Sequence, residues 1–348
     1  MEAPPVVARV RRGEAVESQH RGDAALSDED GRLVAGCGDS SLRVFLRSAA
    51  KPFQALPLIE AGGVERFRLT ASDIALICAS HGGEPRHVRG AARLLRIGGF
   101  RPSDLICGPH LPVHEPSARA LLSSGKRPTR LHNNCSGKHA GLLLACRLLG
   151  HSPKGYGEAS HPLQVTIRRR LSELASYPEE KIDWAIDGCG LVVFRLPLAA
   201  LALAYARLLA RRVDGETQAQ ALARSTVTRA MQDRPDMVAG TGFFTTAFLH
   251  AGGRRWIGKE GAEGVYAVGL SASAAGGRAA GIALKIEDGS ARARPAVTLA
   301  LMREMGWLPR TARRALAGFE SPVVENTAGA AVGSIGAEVP IIRRDAAG

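Results

Sequence analysis

The chain has 348 residues, 45% hydrophobic and 5% aromatic, with a formal net charge of +13. This builds a large core with room for about two lobes, and excludes a disordered, fibrous or disulfide-stapled miniature protein. The basic excess is scattered arginine, with Arg168-Arg169-Arg170 the longest run, so nucleic-acid binding is a minor alternative in a chain so poor in stacking side chains.

In chain order, the charged, proline-bearing N-terminus through Arg12 lacks the apolar segment of a secretory signal. Short β-rich runs fill residues 6–46, punctuated by turn signals at Arg21-Gly22-Asp23 and Glu29-Asp30-Gly31. Helical patterns follow over 51–61, 72–79, 85–97, 136–149, 162–175 and 197–210. Pro52 suits a first turn, and Pro57 should bend the first of these helices. The apolar run 191–210 is broken by Arg195 and Pro197, and reads as a buried strand and helix rather than a membrane span. After a helical 217–231, strand patterns return at 254–258, 265–270 and 281–286, and a last helix fits 295–305. The order predicts an α+β fold, an antiparallel sheet with an inserted helical lobe. We expect one unit of two interleaved lobes over 1–336: a sheet lobe at about 1–50 and 250–336, and a mainly helical lobe at about 51–249. A C-terminal tail covers 337–348, and the Ala/Gly-rich stretch from Thr327 and the extreme N-terminus read as loose ends.

Only seven of the 46 basic residues are lysines, so generic positive charge is given to arginine. Arginine cannot lose its proton in a protein, whereas lysine can be tuned toward neutrality, which enriches the remaining lysines for chemistry. Three stand in unusual contexts: Ser48-Ala49-Ala50-Lys51, Cys135-Ser136-Gly137-Lys138 and Gly258-Lys259-Glu260-Gly261. Ser48 and Lys51 are three residues apart where a helix begins, so a hydroxyl and a possible general base share one face. The bland alternative is a capping serine followed by a solvated lysine.

The stretch His132-Asn133-Asn134-Cys135-Ser136-Gly137-Lys138-His139 leads into an apolar helix, whose N-terminus and lysine should lower the Cys135 pKa. Asp187-Gly188-Cys189-Gly190 ends a strand-like run. By spacing alone Cys135 and Cys189 are poor zinc ligands, and buried inert thiols are the default. The six cysteines form no Cys-x-x-Cys pair, in keeping with free thiols in a reducing cytoplasm. His81 could orient a substrate or close a turn, and the backbone N–H groups of Ser80-His81-Gly82-Gly83 could assist an oxyanion. No phosphate loop, dinucleotide fingerprint, His-Glu-x-x-His or Gly-x-Ser-x-Gly is complete. Ser-x-x-Lys early and Lys-x-Gly late match the framework of the penicillin-recognising serine enzymes, but Ser-Asp-Asn is missing and Glu260 replaces threonine.

Taken together, Arg47-Ser48-x-x-Lys51-Pro52-x-Gln54-Ala55-Leu56-Pro57, Ser80-His81, His132 to His139, Asp187 to Gly190 and Lys259-x-Gly261-Ala262-Glu263-Gly264 resemble the rhizobial-type L-asparaginases of the asparaginase II family. The resemblance runs from about Val6 to Ile335. It implies a serine β-lactamase-like fold and cytoplasmic homodimers that hydrolyse L-asparagine to L-aspartate and ammonia. It also implies two Ser-Lys tandems, Ser48 with Lys51 and Ser80 with Lys259, and an auxiliary zinc on Cys135, Lys138 and Cys189. The expected chemistry is acyl transfer, with Ser48 as nucleophile and neutral Lys51 as base. Arg47 is the candidate for the substrate α-carboxylate and Asp187 for its α-ammonium, from charge complementarity. A Cys135 amidase, a zinc-dependent amidase and a non-catalytic basic binding protein are the rival readings.

Overall fold

The alternating patterns at the two ends of the chain resolve into one antiparallel sheet in a computed structural model that describes residues 3–344. The chain divides into two units. The sheet unit gathers the N-terminal segment through Ala49, the stretch Leu196–Arg211, and the chain from Ala251 onward. The helical unit comprises Ala50–Arg195 and Arg212–His250. The stretch 196–211, expected in the helical lobe, therefore belongs with the sheet.

Seven strands of the nine-stranded sheet lie in the order Val323–Glu325, Ala331–Ala337, Val6–Arg12, Ala15–Asp28, Ala280–Ile286, Val265–Leu270 and Trp256–Glu260. Leu33–Cys37 pairs with Ala15–Asp28 on one side and with Ile342–Arg343 on the other. The region from Thr327 is thus not wholly loose: Ala331–Ala337 is a paired strand, because ladder hydrogen bonds need backbone rather than apolar side chains. Within the expected tail, residues 345–348 lie outside the described residues, as do Met1 and Glu2 of the N-terminus.

The helix Leu198–Leu209 packs on Ala280–Ile286 and Val265–Leu270. Gly269 and Gly281 are directly paired there, and an added Cβ would run into the Tyr205 or Ala202 carbonyl oxygen. We predict that Gly281→Val costs at least about 3 kcal/mol, because that contact is with helix backbone and cannot swing away. Thermal unfolding checks this, and an unchanged Tm would show that the helix does not rest on this strand.

In the helical unit, Lys51–Glu60 is central, with nine of its ten residues buried and Pro57 kept inside it. It packs on Ser136–Leu149, Pro162–Ala175 and Gln218–Asp233. Ser136–Leu149 meets Ala71–Ile77 at Gly137, where any side chain would strike the Leu76 carbonyl oxygen. Gly137 therefore serves close helix packing, and it holds Lys138 at a fixed depth. Asp183–Ile186 forms a hairpin with Val192–Pro197, with Asp187–Leu191 as its turn. The short helices Gly63–Phe67 and Glu115–Ser123 had no counterpart in the sequence reading. Among the described residues, no helix is long and apolar enough to cross a membrane.

Candidate active site

Lys51, Lys138 and Lys259, the three lysines in unusual sequence contexts, are 1%, 4% and 0% exposed, and no other lysine is buried. The two buried arginines, Arg170 and Arg224, are held by carboxylates, at 2.7 Å from Glu60 and 2.6 Å from Glu216 respectively. A buried amine must likewise be partnered or lose its charge.

Lys51 is the first residue of its helix, and its Nζ donates to the Ser80 Oγ at 2.9 Å and to the Ala79 carbonyl. Ser80 follows the helix Ala71–Ile77 on an irregular segment gripped from both sides. The Ser80 N–H donates to Val238 O (3.0 Å), the His81 N–H to Asn134 O (3.2 Å) and the Gly82 N–H to Ala239 O (2.7 Å). The Gly83 N–H donates to the His81 Nδ1 at 3.2 Å. All four amides are engaged, which corrects the expectation that this segment offers free donors for an oxyanion.

His81 is completely buried, its second ring nitrogen lying 2.9 Å from the Ser136 Oγ. Ser136 Oγ donates to Leu131 O, so it accepts from the His81 Nε2–H, and the ring is the neutral Nε2–H tautomer. Burial, with nearby His87 and Lys51, holds the His81 pKa well below the usual histidine range. Glu84 was not anticipated: it accepts from the Thr241 N–H (2.8 Å) and the Thr241 hydroxyl (3.0 Å), fixing the loop that follows Val238 and Ala239. Only contacts between residues far apart in sequence reveal it.

The thiol cluster lies in the same unit. The Asn133 side chain accepts the Cys135 N–H at 2.9 Å and donates to Gly108 O at 2.7 Å, which sets the entry to Ser136–Leu149. Lys138 Nζ lies 3.0 Å from Cys189 Sγ. Asp187 caps the turn, its Oδ1 accepting the Cys189 N–H at 3.2 Å. A hydrogen bond from Cys189, aided by the Lys51 and Lys138 charges, holds the Cys135 pKa well below the usual thiol range. The same bond and burial push the Cys189 pKa up. Burial opposes the Lys138 ammonium, but Cys135 and Cys189 outweigh it and raise its pKa. Burial instead pushes the Cys37, Cys107 and Cys146 thiols up to about 11, and these are the inert ones.

In the sheet unit, Ser48 is half-buried on the 3-10 turn Arg47–Ala50 that precedes Lys51. Tyr205, buried on the Leu198–Leu209 helix, donates its hydroxyl to Ala49 O at 2.7 Å and pins this turn. Arg47 has a positive φ of 50°, a conformation that costs a side-chain-bearing residue about 1–2 kcal/mol. Its guanidinium lies 4.0 Å from Glu263, which has a positive φ of 58°. Strain thus sits directly before Ser48, which the letters Arg-Ser could not disclose. Lys259 is inside the strand Trp256–Glu260, paired with Ala267, and its Nζ donates to the Glu260 carboxylate at 2.7 Å.

Residues 8–337 match the family described as L-asparaginase II. The chain belongs to that family. No curated protein matches the chain. Among solved structures, it is similar to Mglu in its native form, at 16% identity and a TM-score of 0.44, over 82% of this chain and 64% of that one. The chain thus spans less than two thirds of the length of that protein. It is also similar to a probable glutaminase from Bacillus subtilis complexed with 6-diazo-5-oxo-L-norleucine (13% identity, TM-score 0.39, covering 82% and 84%). A third likeness is to L2 complexed with relebactam (20% identity, TM-score 0.38, covering 85% and 91%). The structure has the expected α+β class, with an antiparallel sheet and inserted helices.

Within this chain, Lys51, Ser80, His81, Cys135, Lys138, Asp187 and Cys189 belong to the helical unit, and Arg47, Ser48 and Lys259 to the sheet unit. No group of three or more His, Cys, Asp and Glu side chains suited to a metal occurs among the described residues. The implied zinc set contains only two such residues, the third donor being an amine. Two sulfurs and one nitrogen at a single buried place do suit a thiophilic dication, provided Lys138 gives up its proton.

Proposed function

We propose that this chain hydrolyses L-asparagine to L-aspartate and ammonia through an acyl-enzyme. The observation that carries the reading is the buried Lys51, hydrogen-bonded to a serine hydroxyl and directly following the turn that bears Ser48. Ser48 attacks the side-chain amide carbon, and Lys51 in its neutral form takes the hydroxyl proton. The backbone N–H of Ser48 is the proposed oxyanion donor. The proton then goes to the leaving nitrogen, ammonia departs, and water activated by the same lysine cleaves the β-aspartyl ester. Ser80 relays protons to Lys51, and Lys259 tunes the charge of the site. Arg47 is assigned to the substrate α-carboxylate and Asp187 to its α-ammonium. His81, with both ring nitrogens occupied, positions the Ser80 segment.

The 2.9 Å contact between Lys51 and Ser80 favours one second reading, in which Ser80 is the nucleophile and Lys51 its base. Cys135, Lys138 and Cys189 would hold a zinc ion, whose charge would favour the neutral form of a ligating lysine. We also propose a cytoplasmic homodimer. The dimer is supported by Trp184 and Ile186, which alternate on one short strand and are 53% and 60% exposed.

The direct test is ammonia release from L-asparagine and L-glutamine by the zinc-replete protein. One methylene is worth about 10- to 200-fold in selectivity, so kcat/KM should favour asparagine by that order. Equal turnover, or none with either amide, would overturn the assignment of asparagine.

A further inference from the structure

The helical unit carries a second concavity, a groove of about 820 Å³ whose lining includes none of the serines, lysines or cysteines assigned above. Val88, Pro112 and Leu121 give it apolar walls. Arg89, Lys126 and Arg127 stand around them, exposed and without an ion-pair partner among the described residues. No Asp or Glu lines it, in a chain with 33 acidic residues, and no aromatic ring other than His132 is available for stacking. Some arginines of this protein are neutralised by carboxylates, as at Arg93 with Asp73 (2.7 Å) and Arg234 with Asp236 (2.9 Å), whereas none reaches the groove. Three cations left uncompensated around an apolar wall form a site with one sign of charge.

We propose that this groove binds small organic anions with an apolar body, such as aryl or medium-chain carboxylates and sulfonates. The apolar part lies against Val88, Pro112 and Leu121, where burial supplies affinity. The anionic head is taken by Arg89 and Arg127, whose planar guanidinium groups suit a bidentate oxyanion, with Lys126 as a third charge. A nucleotide would need a stacking surface that the groove lacks. Binding here is independent of whether the protein turns over asparagine, so the two readings fail separately.

The test uses the full chain and 1-anilinonaphthalene-8-sulfonate as probe, followed by calorimetry. We expect one saturable site. Each of Arg89→Glu and Arg127→Glu removes a charge-assisted contact and sets a carboxylate against the anion, so each should weaken binding at least about tenfold. Ala120→Trp, which fills the groove from the helix Glu115–Ser123, should abolish binding with the circular dichroism spectrum unchanged. The uncharged analogue N-phenyl-1-naphthylamine should bind at least about tenfold more weakly than the sulfonate. Absence of saturable binding, unaltered affinity in the three variants, or equal affinity for the neutral analogue would overturn the proposal.

Discussion

Ser48→Ala is expected to lower kcat/KM for L-asparagine by at least about 10⁴-fold, leaving only what binding and electrostatics supply without a nucleophile. The change removes one oxygen from a half-buried side chain and leaves the strained Arg47 and the Tyr205 anchor in place, so stability should change little. Ser80→Ala is the necessary companion. If Ser80 only relays a proton to Lys51, its loss should cost about 10²-fold. A deep loss for Ser80→Ala with activity retained in Ser48→Ala would exchange the two roles. Mass spectrometry of protein quenched during turnover gives an independent readout, since an acyl group on one serine adds a fixed mass to one peptide.

Lys51→Met should lower kcat/KM by about 10²- to 10⁴-fold, the usual contribution of a positioned base. Methionine fills the space of the side chain but leaves the Ala79 carbonyl without its donor, which costs about 1–3 kcal/mol. We therefore expect a modest fall in Tm with the fold retained while activity is lost. Lys51→Arg sharpens the test, because a guanidinium keeps a positive charge near Ser80 but cannot accept the proton. Wild-type kcat in Lys51→Arg would show that position 51 needs only a charge, and the base would have to be sought elsewhere.

What the sequence disclosed follows from the range of the interactions involved. Proline and serine near helix starts placed Pro85–Ile97, Ser136–Leu149 and Pro162–Ala175 correctly, since capping and first-turn preferences are local. The scarcity of lysine singled out the three that are buried, because the chain uses arginine for ordinary charge. The strand Ala331–Ala337 stayed hidden because alanine and glycine carry no apolar alternation. Gly333 is required there by the backbone of Arg11, more than three hundred residues away in the chain. The engagement of the Ser80, His81 and Gly82 amides was equally illegible, as their acceptors lie in segments near residues 134 and 238. The Glu84–Thr241 clamp was hidden for the same reason.

The layout of the sheet also sets an order of events during synthesis. Val6–Arg12 can pair with Ala15–Asp28 as soon as both are made, but its other neighbour, Ala331–Ala337, follows more than three hundred residues later. Arg9 and Glu338, which pair across that junction, are 329 residues apart. Until then one edge of Val6–Arg12 is open to strands from other chains, whereas the long contiguous stretch Ala50–Arg195 can already begin to collapse around its central helix. A nascent chain that stalls before residue 331 would carry finished helices beside an incomplete sheet, and aggregation should begin at that edge.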